Sequence, residues 1–143
     1  MIPIFEPFFG NKEKENLLEC IDSGWISSQG EFILDFEREF SKFHSMSYGI
    51  ATSNCTTALH LSLVSLGIGS GDEVICPDLT FIAPANMIKW AGAVPVLVDI
   101  EKRSWGIDPK KIEAKITNRT KAIVVVHAFG HPADMDPIMK IAK

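Results

Sequence analysis

Apolar residues recur at three- and four-residue spacing along the first third of the chain and gather into short β-rich runs along the rest. Leu17, Leu18 and Ile21, set among Lys and Glu, predict an amphipathic helix from Asn11 to Ser23 that Gly24 stops. Phe32, Ile33, Phe36, Phe40 and Phe43 fall on one side of a second predicted helix, Glu31 to His44. Between them the loop Gly24-Trp25-Ile26-Ser27-Ser28-Gln29-Gly30 sets a large aromatic between two glycines, beside two hydroxyls. Residues 1–10 hold Pro3, Pro7 and the cluster Phe5, Phe8 and Phe9 before Gly10, the composition of an extended arm of the kind that packs on a partner.

From Tyr48 onward one unit repeats, a β-rich run followed by a helix-like run. Tyr48 to Thr52 precedes Thr56 to Leu66, and Glu73 to Cys76 precedes Ile82 to Ala91; Val94 to Asp99 precedes Pro109 to Ile116, and Ala122 to Val126 precedes Asp134 to Ala142. This alternation predicts βαβ units, hence an α/β fold with a mostly parallel sheet covered on both faces. Gly67, Gly69 and Gly71 close the first helix of the series, Gly92 closes the second, and Asp108-Pro109 opens the third. Ile123-Val124-Val125-Val126 has no polar alternation, as expected of a strand buried on both faces. Ile138 to Lys143 is still amphipathic helix at the last residue, so the chain is expected to be the front part of something larger.

Composition narrows the class. With 46% hydrophobic and 22% charged residues over 143 positions, the chain has the makings of a globular protein with a real core. A formal net charge of −4, with the basic residues scattered among acids, gives no field for nucleic acid. Cys20, Cys55 and Cys76 are odd in number and without a CxxC pair, which fits reduced thiols and a cytoplasmic location. Neither a basic leader at the N-terminus nor an apolar run of membrane-spanning length is found, so no membrane partner is expected.

The stretch Ser53-Asn54-Cys55-Thr56-Thr57-Ala58-Leu59 is the centre of the candidate chemistry. Small and hydroxyl residues at a strand-to-helix turn leave the first helical N–H groups facing outward, where they and the helix dipole hold an anion. An ordinary capped helix start gives the same pattern. Ligands of open α/β sheets collect at the carboxyl ends of the strands, which here means Ser53–Thr57, Pro77–Phe81, Asp99 and His127–His131. Phe81, at the head of a helix, offers a face for a flat heterocycle or a core anchor. Gly130 and Pro132 break any helical pairing of His127 with His131, so no metal site is expected. Asp99, Asp134 and Asp136 read equally as caps and as acids. GxSxG, Walker and GxGxxG patterns are missing.

Four stretches carry a resemblance: Gly49 to Leu61, Gly71-Asp72-Glu73-Val74-Ile75-Cys76-Pro77, Val96-Leu97-Val98-Asp99-Ile100, and His127-Ala128-Phe129-Gly130-His131-Pro132-Ala133-Asp134-Met135-Asp136. In this order and spacing the chain resembles the DegT/DnrJ/EryC1/StrS family of sugar aminotransferases dependent on pyridoxal 5'-phosphate (PLP). Ser23 to Gly30 resembles the perosamine synthase branch. The resemblance implies the PLP-dependent transferase fold type I, similar to aspartate aminotransferase. Residues 1–47 would be an arm and helices, and 48–143 the first part of the PLP-binding large domain. It implies that Cys55, Thr56 and Thr57 hold the phosphate of PLP, that Phe81 stacks on its ring, and that Trp25, Ile26, Ser27 and Ser28 face the substrate, near the Phe8 arm.

The implied partners are a nucleotide-linked 4-keto-6-deoxy sugar and glutamate as amino donor, in a homodimer that serves polysaccharide biosynthesis. Cys55 departs from the family's usual Gly or Ala. The family's Schiff-base Lys and the Asp that pairs with the pyridine nitrogen correspond to positions beyond Lys143, so no catalytic residue is expected here and the 143 residues alone should not turn over. A sugar dehydratase of the same family, with His at the lysine position, and a non-catalytic interaction module are the alternatives.

Overall fold

The computed structural model of the chain describes residues 2–3 and 5–143. Met1 and Ile4, both in the expected arm, lie outside the described residues. The chain forms two compact units, Met1–Ala51 and Thr52–Lys143.

In the first unit, helix α1 spans Asn11–Ser23 and helix α2 spans Glu31–Phe43. The Glu13 carboxylate accepts the Gly10 N–H at 2.7 Å, satisfying a donor at the start of α1. Gly24 ends that helix with φ 75°, a left-handed conformation that costs glycine nothing. Neither helix has a buried residue. Phe36, Phe40 and Phe43 stand out from α2 into solvent, with Phe36 stacked on Phe40 at 5.4 Å.

Tyr48 to Thr52 is not a strand. Instead of joining a ladder, the N–H of Ala51 donates to the Glu37 carboxylate at 2.7 Å, and Gly49 passes so close to α2 that a Cβ there would lie 2.5 Å from the Glu37 carbonyl oxygen. Tyr48 and Ile50 remain exposed. The β-rich composition predicted a strand here, but a strand also needs a neighbouring edge to pair with, and none is offered among the described residues.

The second unit is built on three parallel strands in the order β2-β1-β3: β1 Glu73–Pro77, β2 Val94–Val98 and β3 Thr120–Ile123. Register runs from Glu73 opposite Val94 to Pro77 opposite Val98 on one side, and pairs Ile75 with Ile123 on the other. The helices are α3 Cys55–Ser65, α4 Ala83–Trp90, the short α5 Pro109–Ile112 and α6 Met135–Ile141. Every residue of β1 is buried. Val74 and Cys76 face a core with Leu63 of α3 and Met87 and Ile88 of α4. Ile75 faces a second core with Val98, Ile107, Ile112 of α5, Ala133 just before α6, and Ile138 of α6. The expected sheet covered on both faces is therefore present, each buried aliphatic contributing roughly 1.5–3 kcal/mol.

β3 is shorter than its apolar run. The Val124 N–H still donates to the Ile75 carbonyl at 2.8 Å, but the next rung would need an N–H from Pro77, which has none. Val124 to Val126 are half-buried rather than enclosed. At the other end of the ladder, the buried Glu73 carboxylate accepts the Thr117 hydroxyl at 2.6 Å and pairs with Arg119.

Between β2 and α5 the chain turns back on itself through an antiparallel bridge of Ile100 with Ile107. Gly106 in this turn sits so tightly that a Cβ would lie 2.7 Å from the Ala133 Cβ and 3.0 Å from its Cα. Gly106→Ala should therefore push the turn off the loop before α6. The expected cost is about 1–3 kcal/mol of stability, measured by denaturant unfolding.

Candidate functional site

Connectivity sets where the site must lie. α4 leaves the carboxyl end of β1, while α3 leads through residues 66–72 into the amino end of the same strand and packs beside α4. The N-terminal ends of both helices are thus carried toward the carboxyl edge of the sheet.

At the start of α3, Asn54 is the N-cap, in extended backbone. Its side-chain oxygen accepts the Thr57 N–H at 3.0 Å, and its carbonyl accepts the Thr57 hydroxyl at 2.8 Å and the Ala58 N–H at 3.1 Å. Thr52 adds a hydroxyl to the same carbonyl at 3.0 Å. What remains open is specific. The N–H groups of Cys55 and Thr56 have no acceptor among the described residues, and the first turn carries no acid to neutralise the helix dipole. Cys55 is exposed and Thr56 half-buried. A helix start with two open main-chain donors is the kind of place that can hold an anion. Thr57, expected to share in that role, has both its N–H and its hydroxyl engaged by the cap.

Phe81 is 85% exposed among the described residues, with its ring open to contact. The preceding residue is unusual: the Thr80 hydroxyl oxygen is shut off from solvent and has no hydrogen-bond partner among the described residues. No sequence signal pointed to it. Asn54 was legible as a helix cap, but that its cap would consume Thr57 was not.

The remaining loops are structural ties. Asp99 at the end of β2 is ion-paired with Lys111, and that bond, with the Ile100 N–H, holds its carboxyl below the usual range, while Lys111 is raised in turn. Asp108 caps α5 by accepting the Lys110 N–H at 3.0 Å. Asp134 sits at the N-cap of α6 without a side-chain cap bond. His127 Nδ1 accepts the Ala133 N–H at 3.1 Å, so the neutral ring carries its proton on Nε2. Phe129 and Trp105, both with left-handed backbone (φ 53° and 59°), meet edge to face at 5.8 Å. No grouping of metal ligands occurs among the described residues. In the first unit, Trp25 and Ile26 are exposed in the loop after α1, where the Ser27 hydroxyl donates to the Gln29 carbonyl at 3.3 Å.

The pattern of the DegT/DnrJ/EryC1/StrS aminotransferase family matches residues 7–143. The chain belongs to this family. GDP-perosamine synthase of Escherichia coli O157:H7 is 50% identical over 142 residues, covering 99% of this chain and 39% of that protein. GDP-perosamine synthase of Caulobacter vibrioides is 50% identical, over 99% and 38% respectively. The chain thus spans less than two fifths of the length of these curated relatives. Among solved structures, an aminotransferase from Psychrobacter cryohalolentis aligns with TM-score 0.88 at 39% identity, over 95% of this chain and 35% of its own. NtdA from Bacillus subtilis, with the bound cofactor PMP, aligns with TM-score 0.85 at 36% identity, over 99% and 35%. The α/β architecture expected from the resemblance is that of these aminotransferases.

Two of the three thiols should separate by environment. Cys55 is exposed at the helix start, whereas burial under α3 and α4 pushes the Cys76 thiol up to about 11. A thiol reagent at pH 8 should label Cys55 and spare Cys76 in the folded protein. Unfolded Cys76 loses its proton above its ordinary value of 9.0, while the buried thiol keeps it until about 11. The folded state therefore binds more protons in that window, and stability should fall as pH rises through it, by an amount that Cys76→Ala abolishes in denaturation at pH 9 to 11.

Proposed function

We propose that the chain is the N-terminal part of a PLP-dependent aminotransferase that passes an amino group from glutamate to a nucleotide-linked 4-keto-6-deoxy sugar, as a perosamine synthase does. The observation that carries this reading is the pair of open N–H groups at the start of α3, in a chain 50% identical to two perosamine synthases. The residues fit the cofactor. Its phosphate matches the amides of Cys55 and Thr56 and the Thr56 hydroxyl at the positive end of an 11-residue helix, and its flat ring matches the uncovered face of Phe81. Bound there, PLP supplies the electron sink through which an amino group moves between donor and acceptor.

In this reading the chain's own residues bind and orient. Cys55 and Thr56 fix one end of the cofactor, Thr57 works indirectly by locking the Asn54 cap that aims those amides outward, and Phe81 fixes the plane of the ring. Trp25, Ile26, Ser27 and Ser28 face the sugar substrate, an aromatic and two hydroxyls being suited to a pyranose. Residues 1–47 serve as arm and helices, and 48–143 as the first part of the PLP-binding domain. The exposed apolar residues of the arm and of α1 and α2, Phe8, Leu17, Ile21, Phe36 and Phe40 among them, support assembly into a homodimer. The unpaired cysteines support a cytoplasmic setting. The 143 residues by themselves are inactive in this reading, because none of their lysines lies in the family's lysine motif.

Cys55→Pro tests the seat. Proline is favoured at the first helical position, and Asn54 before it is already extended, so the helix survives while one open N–H is deleted. In the full-length protein that carries this sequence, PLP affinity should fall by about 1.5–3 kcal/mol, the worth of a hydrogen bond to a charged group. Thr56→Ala should cost no more than that, since its amide remains. If both variants bind PLP as the unaltered protein does, the phosphate sits elsewhere.

A further inference from the structure

The segment between β1 and α4 is pinned at both ends and loose in the middle. The Asp78 N–H donates to the Val98 carbonyl at 3.0 Å, and the Asn86 N–H donates to the Ile82 carbonyl at 3.0 Å at the start of α4. The N–H groups of Leu79, Thr80 and Phe81 between them make no hydrogen bond among the described residues. Within this stretch an apolar ring is uncovered at Phe81 and a hydroxyl is buried unpaired at Thr80. Each is unfavourable alone, and a buried hydroxyl without a partner is rare enough in folded proteins to require a reason. The two lie on adjacent residues, at the mouth where the ring of the cofactor is read to stack.

We propose that Thr80 is a positioning residue for the cofactor ring: its hydroxyl gains a hydrogen-bond partner only when the Asp78–Ile82 segment settles onto the ring bound against Phe81. This rests on the reading of the site given above. Thr80 does not touch the reacting atoms. It couples the seating of Phe81 to the making of a hydrogen bond that is missing among the described residues, so that part of the binding free energy comes from a group already desolvated.

The test uses Thr80→Val, which keeps the shape and deletes the hydroxyl, and Thr80→Ser, which keeps the hydroxyl, in the full-length protein. Two quantities are read, the melting temperature without cofactor and the Kd for PLP. The expected result is that Thr80→Val melts no lower than the unaltered protein yet binds PLP about tenfold more weakly, and that Thr80→Ser restores the affinity. A lower melting temperature for Thr80→Val without cofactor would overturn the inference, since the hydroxyl would then be bonded already. An unchanged Kd for Thr80→Val would overturn it as well. Cys55→Pro, measured alongside, separates this outcome from a failure of the site itself. If Cys55→Pro weakens PLP and Thr80→Val does not, the seat stands and the role of Thr80 is wrong. If Cys55→Pro has no effect, the site reading fails on its own.

Discussion

Parallel pairing on both sides of β1 is the constraint from which the second unit follows. A parallel strand cannot be reached by a tight hairpin, so each connection must cross the sheet as a helix or a long turn. Those crossings, together with α3 before β1 and α6 after β3, supply the two apolar layers that bury all of β1. They also return the chain to the same edge each time, which is why the start of α4 and the segments after β2 and β3 gather on the carboxyl side, with the start of α3 carried there by its packing against α4. Chemistry collects at that edge because the topology leaves backbone groups there unpaired.

What distinguishes one opening at that edge from another is hydrogen-bond accounting. At the start of α3 the cap uses Thr57 and leaves Cys55 and Thr56, so the number of open donors is set by Asn54 as much as by the threonines. Near α5 and α6 the polar groups are mostly satisfied within the chain, by the Asp99–Lys111 pair, the Asp108 cap and the bond from Ala133 to His127. A ligand there would have to break bonds before making its own. At α3 it has only to arrive.

Most of this was legible in the chain's hydrophobic pattern. Asn11–Ser23, Glu73–Pro77, Val94–Val98 and Ala83–Trp90 follow their predicted spans to within a residue or two, because local periodicity and buried neighbours agree there. The failures have nonlocal causes. Tyr48 to Thr52 has strand composition but gives its Ala51 N–H to Glu37, and the ladder along Val124 to Val126 stops after the Val124 N–H because the next donor would be a proline on the neighbouring strand. Motif spacing located the start of α3 and Phe81, yet neither the consumption of Thr57 by its cap nor the orphaned hydroxyl of Thr80 can be read from residue order, since both depend on side-chain placement.

The central claim is that two main-chain N–H groups, those of Cys55 and Thr56, receive the phosphate of the cofactor. It is tested most directly by following backbone amide resonances in an isotopically labelled sample of the full-length protein during a titration with PLP. The account predicts that the Cys55 and Thr56 amide protons move strongly downfield, as donors newly bonded to a dianion do, while Thr57, already bonded to Asn54, moves little. Saturable binding with Cys55 and Thr56 unmoved, or with Thr57 carrying the large shift, would contradict it.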